Sequence, residues 1–196
     1  MGKKIALTGG IGSGKSTVLS ILKQMGYPVY SCDEIYREIL ESQAYVKKVE
    51  ALFPSCIESG RINRGKLAEI VFKDEEKRKK LNALAHPLIM KTLIERMESE
   101  PNLSVAEVPL LWEGNYQELF DYIFIVTRNK DARVQAVLQR DKTTVEKVKG
   151  RMAAQVDYDT TNFLKKDNAS KIRFIENNSS LQNLEEEIKN AVISIR

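Results

Sequence analysis

Residues 9–17 read GGIGSGKST, and the reading of the whole chain turns on them. Gly9, Gly14, Lys15 and Ser16 fit the pattern G-x-x-x-x-G-K-[ST], which carries chemical meaning only between a strand and a helix. Both flanks are present. Ile5 to Leu7 is a short apolar strand. From Ser16 to Met25 the residues Val18, Leu19, Ile21 and Leu22 form the apolar side of a helix, and Gly26 stands where that helix stops. Pro28 to Tyr30 reads as a second short strand. A β-loop-α-β opening of this kind begins a parallel α/β fold.

The glycines let consecutive backbone N–H groups turn inward around phosphate oxygens, and the helix behind them adds the positive end of its dipole. Gly12, Ser13, Gly14, Lys15, Ser16 and Thr17 are the expected nucleotide-binding run. Lys15 can reach the β- and γ-phosphates, and the Ser16 hydroxyl is a ligand for Mg²⁺. The chain therefore reads as a binder of a nucleoside triphosphate.

Downstream the pattern is mostly helical at first. Ser31 and Glu34 have capping-box spacing ahead of a helix buried through Ile35, Ile39 and Leu40. Asp74 is placed to cap a helix carrying Leu81, Leu84 and Ala85, and Pro87 suits the first position of the next, with Ile89, Leu93 and Met97 inward. Strands return at 103–111 and 121–126, the second apolar throughout, as a strand covered on both faces should be. Helices follow over Asp131 to Arg140 and Thr144 to Gln155, then a strand at Ile172 to Ile175 and a closing helix over Leu181 to Ile195. The expectation is a P-loop kinase-like α/β fold: about five parallel strands flanked by helices, with a helical insertion.

Composition excludes several other classes. With 196 residues, 42% hydrophobic and 30% charged, the chain has ordinary globular composition rather than that of a disordered or fibrous protein. Its longest apolar run, Tyr122 to Val126, is far short of the ~20 residues of a membrane span. Lys3 and Lys4 are followed by too few apolar residues for a secretory signal. Cys32 and Cys56 form no C-x-x-C pair, and His86 is the single histidine, so neither a disulfide framework nor a zinc site is indicated. A reducing cytoplasm is the expected compartment. The net charge of +4 welcomes an anionic ligand but lacks the dense basic stripe of a nucleic-acid binder. The run KDEEKRKK at 73–80 mixes signs like a solvated helix face.

A phosphate loop alone does not choose among kinase, GTPase and motor. No D-x-x-G switch occurs, and Asn129-Lys130-Asp131 places its aspartate one position too early for N-K-x-D. Motors need more chain. A small phosphotransferase is the remaining class.

Further motifs occur in order. They are a GLTGGIGSGKS-type opening, here ALTGGIGSGKS at 6–16, CDEIYR at 32–37, LAEIVF at 67–72, AHPLI at 85–89, VPLLWE at 108–113, QRD at 139–141 and RMAAQ at 151–155. Together they resemble the dephospho-CoA kinase family along nearly the whole chain. His86-Pro87 and Pro109 to Glu113 have no general phosphate-loop role, which makes the resemblance more specific than the loop. It implies transfer of a phosphoryl group from ATP to the ribose 3′-hydroxyl of dephospho-CoA, with Mg²⁺, on a nucleotide-kinase core with a helical substrate domain and a lid.

The resemblance also implies roles. Asp33 matches the catalytic carboxylate, which accepts the 3′-hydroxyl proton and orients that oxygen; as a plain first-turn acid it would serve the helix dipole instead. Arg37, one turn on, holds Asp33 or a substrate phosphate. His86 and Glu113 belong to the acceptor site. Glu107 ends a strand where the family carries Asp, within reach of the water shell of Mg²⁺, and Trp112 stands where Phe is frequent. Arg140 and Arg151 flank the lid, where a planar guanidinium can bridge donor and acceptor phosphates. Either Asn177 or Asn178 lies beside the adenine.

The chain is thus expected to be one domain: a core of 1–32, 101–140 and 169–196, an acceptor insertion of about 33–100, and a lid of about 141–168. Its partners are ATP and dephospho-CoA, without nucleic acid or membrane, in a monomer or weak homo-oligomer. A kinase of another nucleotide or small metabolite, and a non-catalytic nucleotide-binding regulator, are the alternatives.

Overall fold

The computed structural model describes residues 2–156, 158 and 169–195. Position 157 and positions 159–168 of the expected lid lie outside them. The chain opens with β1 (Lys4–Thr8), α1 (Lys15–Gln24) and β2 (Val29–Ser31). It continues through α2 (Cys32–Glu41), α3 (Gln43–Leu52), the short strands β3 (Ile57–Glu58) and β4 (Arg61–Ile62), α4 (Arg64–Lys73) and α5 (Glu75–Glu98). The last part holds β5 (Ser104–Glu107), β6 (Tyr122–Thr127), α6 (Lys130–Asp141), α7 (Val145–Ala153), β7 (Ile172–Glu176) and α8 (Leu181–Ile193). Two compact units result, one of residues 1–30 with 97–196 and one of residues 31–96.

In the first unit a five-stranded sheet has the order β2-β5-β1-β6-β7, with β1–β5, β1–β6 and β6–β7 parallel. β1 is central, and Ile5, Ala6 and Leu7 have no exposed surface. Ile5 and Leu7 pack with Val18 and Leu22 of α1, Phe124 and Val126 of β6, and Ile188 and Val192 of α8. Each such large apolar side chain contributes roughly 1.5–3 kcal/mol when buried. The strand that launches the phosphate loop is therefore firmly anchored in the core. The expected α/β class is what the chain adopts.

β5 is shorter than the apolar run at 103–111 suggests. After Glu107 the Val108 N–H still donates to the Leu7 carbonyl at 2.9 Å, but Pro109 has no N–H to continue a ladder. The chain coils instead into a turn closed by Gly114 N–H to the Leu110 carbonyl and Tyr116 N–H to the Leu111 carbonyl. Leu111 is buried, while Glu113 is exposed.

The second unit corrects two expectations. Pro87 does not start a helix; it lies inside α5, and His86 before it is helical rather than extended. Proline forfeits the hydrogen bond to the carbonyl of Ala83 there. A stripe at four-residue spacing, Leu81, Ala85, Ile89, Leu93 and Met97, is buried along the whole helix, and its burial overrides the proline. Ser31 is the N-cap of α2 by position, yet its side chain makes no cap bond, so the capping box is not formed. Ser31 still belongs to β2 and keeps a strand-like φ of −128°. Asp33 and Glu34 support the positive end of α2 instead.

β3 and β4 form a small antiparallel hairpin within the otherwise helical insertion. Ser59 (φ 50°) and Gly60 (φ 73°) are both left-handed, the two-residue turn whose twist suits a hairpin. Elsewhere the caps follow the pattern: Asp74 accepts from the Lys77 N–H at 3.0 Å and Thr144 from the Lys147 N–H at 3.5 Å. Among the described residues no helix is long and apolar enough to cross a membrane.

Candidate functional site

The phosphate loop follows directly from Thr8, whose side chain is fully buried. Gly12 (φ 77°) and Gly14 (φ 96°) have left-handed backbones. A Cβ on Gly12 would lie 2.5 Å from the Arg133 carbonyl oxygen, and one on Gly14 would collide with the Asn177 side-chain amide. Both positions therefore demand glycine for conformation and for space. The Ser13 N–H donates to the Gly10 carbonyl at 3.2 Å, closing the loop. The buried Ser13 hydroxyl makes no hydrogen bond among the described residues.

The Lys15 ammonium folds over the loop, 2.9 Å from the Gly9 carbonyl and 3.4 Å from that of Gly10. Ser16 and Thr17 are exposed in the first turn of α1, which contains no acidic residue to offset the dipole. A loop turned by left-handed glycines, a fixed ammonium and an uncompensated helix N-terminus together form a concentrated binding place for a polyphosphate.

Side chains remote in sequence hold this loop. The Asn177 amide donates to the Ser13 carbonyl at 2.9 Å, and its backbone N–H to the Thr127 carbonyl at 2.9 Å. The Arg133 guanidinium, almost wholly buried, donates from Nε to the Ile11 carbonyl at 3.1 Å. Asn178 instead accepts from the Asn129 N–H at 2.6 Å. Both asparagines line a cavity of about 360 Å³ with Arg128, Asn129, Ala132 and Ser179.

Arg140 and Arg151 converge. Arg140 donates from Nε to Asp141 Oδ1 at 2.7 Å, and Arg151 from an Nη to Asp141 Oδ2 at 2.6 Å. The Arg140 bond, followed by that of Arg151, holds the Asp141 carboxyl below the usual aspartate range. Asp141 in turn raises the Arg140 pKa, with a further contribution from the charge of Glu107. Glu107 is level with Leu7 in the β1–β5 register, half-buried at the strand end.

Glu113 accepts from the Val156 N–H at 3.3 Å. Beside it Trp112 meets the Tyr158 ring edge-on at 5.8 Å between centroids, and the Tyr158 hydroxyl lies 3.1 Å from Thr8 Oγ1. Burial pushes the Tyr158 phenol up to about 12, with the Glu113 charge adding and the Thr8 hydrogen bond opposing. Arg133 and Tyr158 escape a reading of the sequence. Arg133 looks like an ordinary helix arginine, and no local pattern announces a tyrosine facing Thr8.

Three expected residues belong to the second unit. Asp33 and Arg37 are exposed one turn apart on α2, and no ion pair joins them among the described residues. His86 is half-buried in α5, and burial lowers its pKa, which favours the neutral imidazole. Arg96 of α5 pairs with Glu38 of α2 through both guanidinium Nη atoms, at 3.1 and 2.5 Å.

Comparison with known proteins supplies the remaining finding. A family model described as Dephospho-CoA kinase matches residues 3–183. A dephospho-CoA kinase of Listeria monocytogenes is 33% identical, with 96% of this chain and 94% of that protein covered. Among solved structures, one from Thermus thermophilus superposes with a TM-score of 0.81 at 30% identity, covering 100% of this chain and 98% of the other. The dephospho-CoA kinase from Campylobacter jejuni gives 0.66 at 26% identity, covering 98% and 97%. The chain belongs to the dephospho-CoA kinase family.

Proposed function

We propose that this enzyme transfers the γ-phosphoryl group of ATP to the ribose 3′-hydroxyl of dephospho-CoA, giving coenzyme A and ADP, in the cytoplasm and as a monomer or weak homo-oligomer. The observation that carries the reading is the phosphate loop, with Lys15 laid across it and the first turn of α1 free of acidic residues. The loop of Gly12 to Thr17 holds the β- and γ-phosphates through those of its amides that no loop carbonyl engages, and Lys15 exchanges its loop carbonyls for phosphate oxygens. The cavity beside Asn177 and Asn178 takes the adenine.

In the chemical step the 3′-oxygen attacks the γ-phosphorus while the bond to the β–γ bridging oxygen breaks, and ADP leaves with that electron pair. Asp33 orients the hydroxyl and takes its proton. Arg37, His86 and Glu113 bind the acceptor, and His86 in its neutral form offers one donor and one acceptor. Arg140 and Arg151 leave Asp141 for the phosphates, where fixed positive charge acts on the loose transition state. The segment 33–100 is the acceptor part and 141–168 the lid.

Ser16 Oγ is a hard oxygen donor, exposed at the start of α1, and Glu107 ends a neighbouring strand. This donor set fits Mg²⁺, which takes one or two protein oxygens and fills its remaining positions with phosphates and water. When bound, the ion would neutralise charge on the β- and γ-oxygens; Ser16 would hold it directly and Glu107 through its water shell.

The test is a panel of acceptors in an ADP-release assay, with the product analysed for phosphate position. Dephospho-CoA should be phosphorylated at the 3′-position and preferred over AMP and simple sugar alcohols. A preference for AMP would favour a kinase of another nucleotide, and no ADP release with any acceptor a regulator.

A further inference from the structure

Ile11, inside the phosphate loop, is held at three points by the α6–α7 pair. Its side chain packs on Val134 and Val137 of α6 and Val148 of α7, together with Leu138 and Met152. Its carbonyl accepts from Arg133 of α6. Its N–H donates to the side-chain oxygen of Gln155 at 2.8 Å.

Gln155 lies two residues beyond the end of α7, because the helix stops at Ala153 rather than running to Gln155 as its sequence suggests. Ala154 caps the helix, and the Gln155 N–H still donates to the Met152 carbonyl at 3.3 Å. One turn of compact backbone therefore separates Gln155, fixed to the loop, from Arg151, fixed to Asp141 beside Arg140. The next residue is held too, through Val156 N–H and Glu113. The side chain that grips the loop amide thus sets how far the arginine can stand from the loop.

We infer that Gln155 is a positioning residue for phosphoryl transfer: by holding the Ile11 N–H it fixes Arg151 at its working distance from the phosphate loop. The inference rests on the phosphate-binding role proposed above for Arg151. A misplacement of about 1 Å at a charge-stabilising group costs on the order of a hundredfold in rate. Gln155 shares its task with the packing of Ile11, so removing its oxygen alone should cost about tenfold.

Gln155→Met keeps length and volume but removes the acceptor. The expected result is a kcat about tenfold lower, with ADP affinity within about twofold of wild type and faster hydrogen exchange at the Ile11 amide. In an Arg151→Ala background the same substitution should cost less than about twofold more, because the residue it acts through is gone. Slow Arg151→Ala with a full further tenfold loss in the double variant overturns the role of Gln155 alone. Normal turnover of Arg151→Ala overturns the arginine assignment and this one with it. Unchanged kcat in Gln155→Met, whatever its melting temperature, also overturns the inference.

Discussion

The side-chain amide of Asn177 donates to the carbonyl of Ser13 at 2.9 Å, so the residue that follows β7 fixes the middle of the phosphate loop. The loop does not hold its shape alone. Its last glycine leaves room for this amide, and the amide removes the freedom that glycines would otherwise give the loop.

Asn177→Asp keeps the side-chain length but sets a carboxylate against a carbonyl and near the phosphates. Losing a partly buried hydrogen bond and adding this repulsion should lower stability by about 1–3 kcal/mol. ATP affinity should fall at least as steeply. Thermal melts with and without ATP check both, and the melting shift on adding ATP should shrink in the variant.

Asp33 is exposed on α2, so its contribution to folding is small, about 0.3–1 kcal/mol from the helix dipole. Its contribution to turnover should be large. Asp33→Asn is expected to lower kcat by roughly 10²–10⁴-fold with little change in ATP affinity. Steady-state kinetics on dephospho-CoA beside a thermal melt separate the two roles; a kcat within a few-fold of wild type would return Asp33 to the helix dipole.

Asp141 holds the guanidinium groups of Arg140 and Arg151 together, and in the proposed reaction it competes with nucleotide for them. Asp141→Asn should therefore move the kinetic constants in the same numerical direction for opposite reasons. KM for ATP should fall by about two- to fivefold, since exposed ion pairs are weak, and kcat should fall because the arginines lose their common anchor. A KM that rises with kcat unchanged would disconnect the pair from the reaction.

His86 couples folding to pH. Burial lowers its pKa below the ordinary 6.5, so between the two values the unfolded chain binds a proton that the folded one does not. Stability then rises with pH in that window and is lost as pH falls below about 6.5. His86→Asn should show a smaller drop in melting temperature between pH 7.5 and pH 5.5 than wild type does. An equal drop in both would assign the pH dependence elsewhere.

The phosphate loop and its flanking strand and helix were legible because their chemistry is local: glycines, Lys15 and the apolar strand ahead of them lie in one stretch. Their restraints were not. Asn177, Arg133 and Gln155 reach loop carbonyls and an amide from far along the chain, and such side-chain-to-backbone bonds leave no periodic trace. Pro87 misled because proline is both the best first residue of a helix and, where packing outweighs one lost hydrogen bond, a tolerable interior one. Pro109 cut the opposite way, ending a strand that hydrophobicity alone would extend. The Ser59-Gly60 turn was within reach of turn chemistry, but the surrounding helical periodicity concealed it.

The sheet order has a consequence for synthesis on the ribosome. β1 is synthesised well before both its neighbours, β5 and β6, which come from residues 104–107 and 122–127. At ~5–20 residues per second the wait is on the order of 5–20 s, during which Ile5, Ala6 and Leu7 have no sheet to join. Residues 31–96 form their own compact unit and have no such wait. The phosphate loop therefore waits longest for its restraints: the Asn177 amide that holds the Ser13 carbonyl follows β7 and is made long after the loop itself.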